Sequence, residues 1–302
     1  MFHVKQLQIG EGNGMNGSAL YVLLCYVLWG LLPVYWKQLS AVNSLYILAS
    51  RIVFSMIFCA LLLWLMGQWP QVRALRRDRR QLKLLAWASV LITVNWGSYI
   101  FAVNSGHILD ASLAYYLNPI LVILLGAVFF HERLNRRQTV AVVLSAVGVL
   151  YSVVSYGKVP VFALVIGGSF AVYGAVKKRM AVGSLVSTFM ETALVAPLFL
   201  LVMAVLEGQG QGCVGQLSGW QYGLIPLSGV VTSVPLLVYA KGMQRTSLAL
   251  SGILMYVNPT LQLLIGVFLY HEPFTQAQAV TFLFVWAAVL LFVADSLLRQ
   301  RR

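Results

Sequence analysis

The sequence predicts an all-α polytopic membrane protein whose ten transmembrane helices form two inverted-topology five-helix repeats. Three observations predict it. The 302-residue chain is 60% apolar and only 10% charged, and its apolar runs are longer than a soluble core helix needs. Residues 114–133, AYYLNPILVILLGAVFFHER, return 140 positions later as LMYVNPTLQLLIGVFLYHEP at 254–273, with Tyr, Asn-Pro, Gly and His-Glu in step and no gap. The basic residues fall on alternate connections between the apolar runs.

A spanning helix needs roughly 20 apolar residues. Runs of that kind cover 19–36, 45–66, 84–105, 109–130, 138–156, 159–176, 185–206, 223–241, 247–270 and 276–297. Too little chain remains for a soluble domain of ordinary size. The expected organisation is a cytoplasmic leader at 1–17, a first repeat at 18–157, a second at 158–298 and a basic tail at 299–302. The leader is polar and lacks a basic region followed by a small-residue cleavage site, so it is expected to stay uncleaved, with Met15 as an alternative start.

The formal charge of +13 reads as topology rather than as a nucleic-acid surface. With the N-terminus inside, the cytoplasmic segments hold Lys5, VRALRRDRRQLK at 72–83, Arg133, Arg136, Arg137, KKR at 177–179, Lys241, Arg245, Arg299, Arg301 and Arg302. The outer loops keep only Lys37 and Lys158. That bias supports ten spans with both termini cytoplasmic.

The offset of 140 also pairs Ser44 with Ser184, Tyr99 with Tyr239 and Gly126 with Gly266, so one five-helix unit is used twice. Five is odd, so the second copy enters the membrane upside down. The charges follow: HERLNRR after the fourth span is answered by HEPFTQA after the ninth, and WKQLS after the first by VKKRM after the sixth. Inverted repeats place a site near the midplane between the halves, exposed alternately to each side. The alternative is a duplication that merely built a stable bundle.

Candidate site residues follow from polarity at depth. Pro119 and Pro259 sit mid-span, where proline removes a backbone bond and frees the carbonyls of Tyr115 and Met255. Irregular backbone there survives only inside protein or beside a wet cavity. Asn118 and Asn258 add amides at that level, beside Tyr116 and Tyr256. Asn95, Trp96 and Tyr99 of the third span, Tyr173 of the sixth, and Thr232 and Tyr239 of the eighth complete the candidate central cavity. Such aromatic walls either hold a small amphiphilic solute or pack helices. Arg51 and Glu191 are repeat mates two turns into apolar helices, where an ionised group costs at least about 3 kcal/mol. Glu191 is either a proton-coupling carboxylate or a structural hydrogen-bonded one. Glu132 and Glu272 end their helices, where the dipole disfavours negative charge, so each needs a partner. Arg133, Arg136 and Arg137 neighbour Glu132, whereas Glu272 is either a fixed contact or an outer gate. The stretch at 207–219 is low in complexity and expected to be flexible.

Several function classes drop out. There is no HExxH, no GxSxG and no pair of deep carboxylates, which argues against an intramembrane enzyme. Four scattered His and three separated Cys supply neither metal-ligand spacing nor a disulfide framework, and no cofactor is implied. Without a Walker motif no ATPase subunit is implied, so transport would draw on a gradient, protons included, or on exchange. The partners expected are a small-molecule substrate and the lipid bilayer, with no nucleic acid.

NWGSYIFAVNSGHILDASLAYYLNP at 95–119, FHERLNRRQ at 130–138, FAVYGAVKKR at 170–179, METALVAPL at 190–198 and TSVPLL at 232–237 together resemble the RarD branch of the EamA-type drug/metabolite transporters, over nearly the whole chain from about residue 18. The resemblance implies a ten-helix carrier of the bacterial inner membrane with two EamA repeats. By position it favours Asn95, Trp96, Asn104, Asn118, Pro119, Tyr173, Glu191, Thr232, Pro235 and Pro259. Two positions depart from it: Asp110 stands where Glu is expected, and Asn258 where a small residue precedes the proline. The expected function is a secondary transporter that moves a small amphiphilic metabolite or drug by alternating access, as an exporter. The alternative is a lipid-handling, scramblase-like protein or a scaffold without specific solute flux.

Overall fold

Hydrocarbon offers backbone groups no partners, so each apolar run closes its own ladder as a helix. The computed structural model describes residues 17–300 other than 76, 106, 158, 272 and 273. Among the described residues, ten segments are long and apolar enough to cross a membrane. The first seven are Gly17–Lys37, Ser44–Leu65, Arg79–Asn104, Ile108–Phe130, Arg136–Tyr156, Val161–Arg179 and Ser184–Gly208. The eighth is Leu224–Met243, entered through a 3-10 turn at Gly219–Gly223, and the tenth is Gln276–Gln300. The ninth comes in pieces: Leu248–Met255, Val257–Leu264 and a π-helical turn at Ile265–Leu269. The leader, Met15, Lys158 and Glu272 lie outside the described residues, as do the side chains of Asn104 and Asp110.

Polar residues set the helix ends. Asn43 caps the second span by accepting from the Leu45 amide at 2.9 Å. Asn135 and Gln138 form a reciprocal capping box on the fifth. The third span begins at Arg79 rather than at 84, because Asp78 accepts from the amides of Arg80 and Gln81, both at 3.0 Å. Part of the basic run thereby becomes the helix's first turns. A short helix, Trp69–Leu75, precedes it where the sequence suggested only a charged connection.

The stretch at 207–219 also differs from expectation. It folds over its own stem, with the Glu207 carboxylate accepting from the amides of Cys213 and Val214 and the Tyr46 hydroxyl meeting Cys213 sulfur at 3.3 Å. A low-complexity string of Gly and Gln suggests flexibility only until one carboxylate gathers its amides.

Contacts sort the connections into two ends. Gln81 reaches Ala181, Gln244 reaches Val182, and Lys178 reaches Glu132, so the connections after even-numbered spans share one end. This end is rich in Arg and Lys. At the opposite end Gln221 reaches Gln38, Gln211 reaches Asn43, and Lys37 lies over the Tyr270 ring.

Helices pack mainly across the two halves of the chain. The first span packs on the eighth and ninth, and the sixth packs on the third and fourth; the second packs on the seventh and eighth, and the seventh on the third. The fourth meets the ninth, and the fifth meets the tenth. Adding five to each span number maps this pattern onto itself. The halves are therefore interlocked, and no plane of weak contact separates two domains. At the fourth–ninth crossing Gly252 is required, since a Cβ there would lie 2.7 Å from the Pro119 carbonyl oxygen.

Candidate functional site

The Asn-Pro pair of each half behaves differently. Pro259 coincides with a broken helix: the Tyr256 amide turns back to Ile253 and Leu254, and the Thr260 hydroxyl accepts the task of binding the Tyr256 carbonyl, donating to it at 2.7 Å. Around Pro119 the fourth span stays one helix. There the Tyr256 hydroxyl donates across the repeat boundary to the carbonyl of its own mate, Tyr116, at 3.4 Å. The Tyr116 ring packs edge-on to Phe282, so both mates are core contacts in this conformation. The two asparagines diverge as well. Asn258 is satisfied by Gln262 one turn on, at 2.8 Å, whereas the buried Oδ1 of Asn118 has no hydrogen-bond partner among the described residues. An orphaned acceptor at that depth is a place for water or solute.

Toward the basic end the core is tightly packed and aromatic. Tyr26, Trp29, Phe170, Tyr173 and Tyr239 form one cluster, with Tyr173 and Tyr239 stacked at 6.1 Å and Trp29 edge-on to Phe170 at 5.5 Å. Beneath it Glu191 accepts from Lys177 at 2.7 Å and from the Tyr173 hydroxyl at 3.0 Å, and Lys177 also donates to Ser187 at 2.8 Å. Both ions are almost fully buried, with 1% of the Lys177 side chain and 3% of the Glu191 side chain exposed. Such a pair holds only because each charge answers the other. Lys177 is the residue that the reading of KKR as a topological signal concealed.

Glu132 completes this seal. Its expected neighbours Arg133, Arg136 and Arg137 are not its partners. It pairs instead with Lys178 and accepts from the amides of Leu248 and Ala249, both at 2.9 Å, so the turn after the fourth span caps the ninth. The left-handed His131, φ 52°, turns it back; its mate His271 has φ 54°. A further carboxylate, Asp295, is buried near the end of the tenth span, bonded by Asn135 and 3.9 Å from Arg137.

Toward the opposite end the same positions are looser. The Arg51 guanidinium carbon lies 4.6 Å from the Trp36 ring centre and 4.7 Å from that of Trp96, and its Nε donates to Thr232 at 3.0 Å. Tyr99 and Tyr115 pack edge-on at 6.1 Å beside it. Thus the structure brings Arg51, Trp96, Tyr99 and Thr232 together, and separately brings Glu191, Tyr173 and Tyr239 together. Asn95 joins neither group, because its amide is held by the Ile166 carbonyl at 2.7 Å. Between the groups lies a small cavity lined by Thr93, Trp96, Thr188 and Glu191 among others. The hydroxyls of Thr93 and Thr188 are buried there without a partner among the described residues.

Ten interlocked spans around two clusters of buried polar and aromatic groups define a multi-pass membrane transporter. The profile of the EamA-like transporter family matches residues 16–154 and again 158–294. The chain belongs to that family, and within it to the RarD branch of the drug/metabolite transporters. It is 43% identical to "Uncharacterized transporter YojE" of Bacillus subtilis, over 91% of this chain and 93% of that protein. To "Protein RarD" of Escherichia coli it is 35% identical, over 94% of this chain and 96% of that one. A solved structure described as "Crystal structure of protein" shares the fold, with a TM-score of 0.73 at 17% identity, covering 92% of this chain and 97% of the other.

Proposed function

We propose that the chain is a secondary transporter that exports a small amphiphilic metabolite or drug across the bacterial inner membrane by alternating access, with the basic end cytoplasmic and the second repeat inverted relative to the first. One observation carries the reading. Tyr239, in the basic-end cluster, is 0% exposed, while its repeat mate Tyr99 at the opposite end is 37% exposed. Equivalent positions in the two interlocked halves thus differ in burial, which supports reading one as closed and the other as open. Exchanging the two packings would open the basic end and close the other.

Protons couple through Lys177 and Glu191. Opening the basic end would part the pair and reclosure would restore it, so the pair is the point at which a proton gradient would act on the cycle. The Thr93 and Thr188 hydroxyls, unpartnered among the described residues, line the adjoining small cavity and supply polar sites beside the Glu191 carboxylate.

The test is flux in proteoliposomes holding the purified protein, across amino acids, nucleosides, amphenicols and organic cations, with and without a pH gradient. Saturable flux of one solute class, accelerated by the gradient, is expected. Glu191→Gln should abolish the gradient's effect while leaving solute exchange in place. Folded protein that moves lipid but no solute would overturn the reading in favour of lipid handling.

A further inference from the structure

Lys177 and Glu191 are fourteen positions apart, and so are their repeat mates Lys37 and Arg51. The first pair is an ion pair. The second is two cations. Lys37 turns out to the Tyr270 ring, and Arg51 is clamped between two indoles with no carboxylate within ion-pair distance among the described residues. Glu191 neutralises the cation at the basic end, whereas no carboxylate of the described residues neutralises Arg51.

Arg51 is fitted to receive an anion. A guanidinium carries five N–H donors in a planar fork, and here, among the described residues, a single one is used, on Thr232. The Trp36 and Trp96 faces hold the plane in place and stabilise its charge without competing for those donors. The residue keeps partial exposure, close to the exposed Tyr99. We propose that Arg51 binds the carboxylate of a small monoanionic solute with an aromatic or planar body, the fork taking both oxygens and the indoles and Tyr99 taking the body. A single fixed cation in a low-dielectric wall balances one negative charge, which favours a monoanion over a phosphate dianion. Binding supplies at this end the negative charge that Glu191 supplies at the other, so the loaded carrier can close here. This names the substrate class and rests on the transporter reading.

Isothermal titration of the detergent-solubilised protein with indole-3-acetate and phenylacetate, each against its primary amide, tests it. The acids should bind at least about tenfold more tightly than the amides. Arg51→Gln should weaken acid binding about 10- to 100-fold and leave amide binding unchanged, and Arg51→Lys should fall between. Lys241→Gln, a cation lying over Tyr21 at the basic end, should change nothing. Equal binding of acid and amide to the unaltered protein overturns the inference whether or not the variants fold, as does binding of none of the four. Preferential binding of inorganic phosphate overturns the carboxylate assignment. Counterflow of labelled indole-3-acetate in proteoliposomes separates the two failures: acid binding without counterflow sinks the transporter reading and leaves the site, while neutral-solute flux indifferent to Arg51→Gln sinks the site and leaves the transporter.

Discussion

The Lys177–Glu191 pair shows how a single residue's partner decides its meaning. Glu191 was legible in the sequence as an ionisable group deep in an apolar helix. Lys177 was not, because a lysine in a basic triplet at a helix end reads as a topological charge. A usable signal was present nonetheless: Tyr173 and Lys177 lie one turn apart on one face of the sixth span, below the apolar stretch. With both ions buried, removing one strands the other. Lys177→Ala should therefore cost about 3–5 kcal/mol in unfolding free energy, and the double variant Lys177→Met/Glu191→Met should recover much of it. Denaturant or thermal unfolding in detergent would register both. A double variant no more stable than the single would show that the ion pair is not what makes the lone charge costly.

At the scale of the helix, the apolar runs located the spans because hydrocarbon leaves a backbone no other choice, and the ends drifted because they depend on caps. Asp78 moves one start, and Glu207 organises a stretch that composition alone makes look loose. The prolines were visible, but their unequal effects were not. Pro259 sits in a helix broken at Tyr256, while Pro119 sits in one that continues, and the difference lies in which neighbours supply hydrogen bonds, a matter of tertiary contact. Close helix approach was equally hidden. Gly229 on the eighth span faces the second so tightly that an added Cβ would lie 2.2 Å from the Phe54 carbonyl carbon. Backbone cannot yield as a side chain tip does. Gly229→Ala should destabilise by about 1–3 kcal/mol or more and push the two spans apart, which unfolding and a distance between spin labels on them would report. Unchanged stability would mean that this crossing is softer than its contacts imply.

For the whole molecule, duplication was the most informative thing in the sequence, since a constant offset reports paired structure wherever it holds. What the offset could not say is which copy is closed. Glu132 caps the ninth span at the basic end, and that end is packed with rings and a buried ion pair, whereas the opposite end keeps Tyr99 exposed. The basic end is thus held by a few named bonds between the halves. Alternating access requires that loosening them shift the population toward the other packing. Single cysteines at Tyr99 and Tyr239, in a background lacking Cys25, Cys59 and Cys213, with a membrane-impermeant maleimide on oriented vesicles, measure this directly. At rest Tyr99→Cys should label and Tyr239→Cys should not; adding Glu132→Gln should raise labelling at the second and lower it at the first. If the two sites change together, or Tyr239→Cys stays unlabelled under every condition, the halves do not exchange their packings.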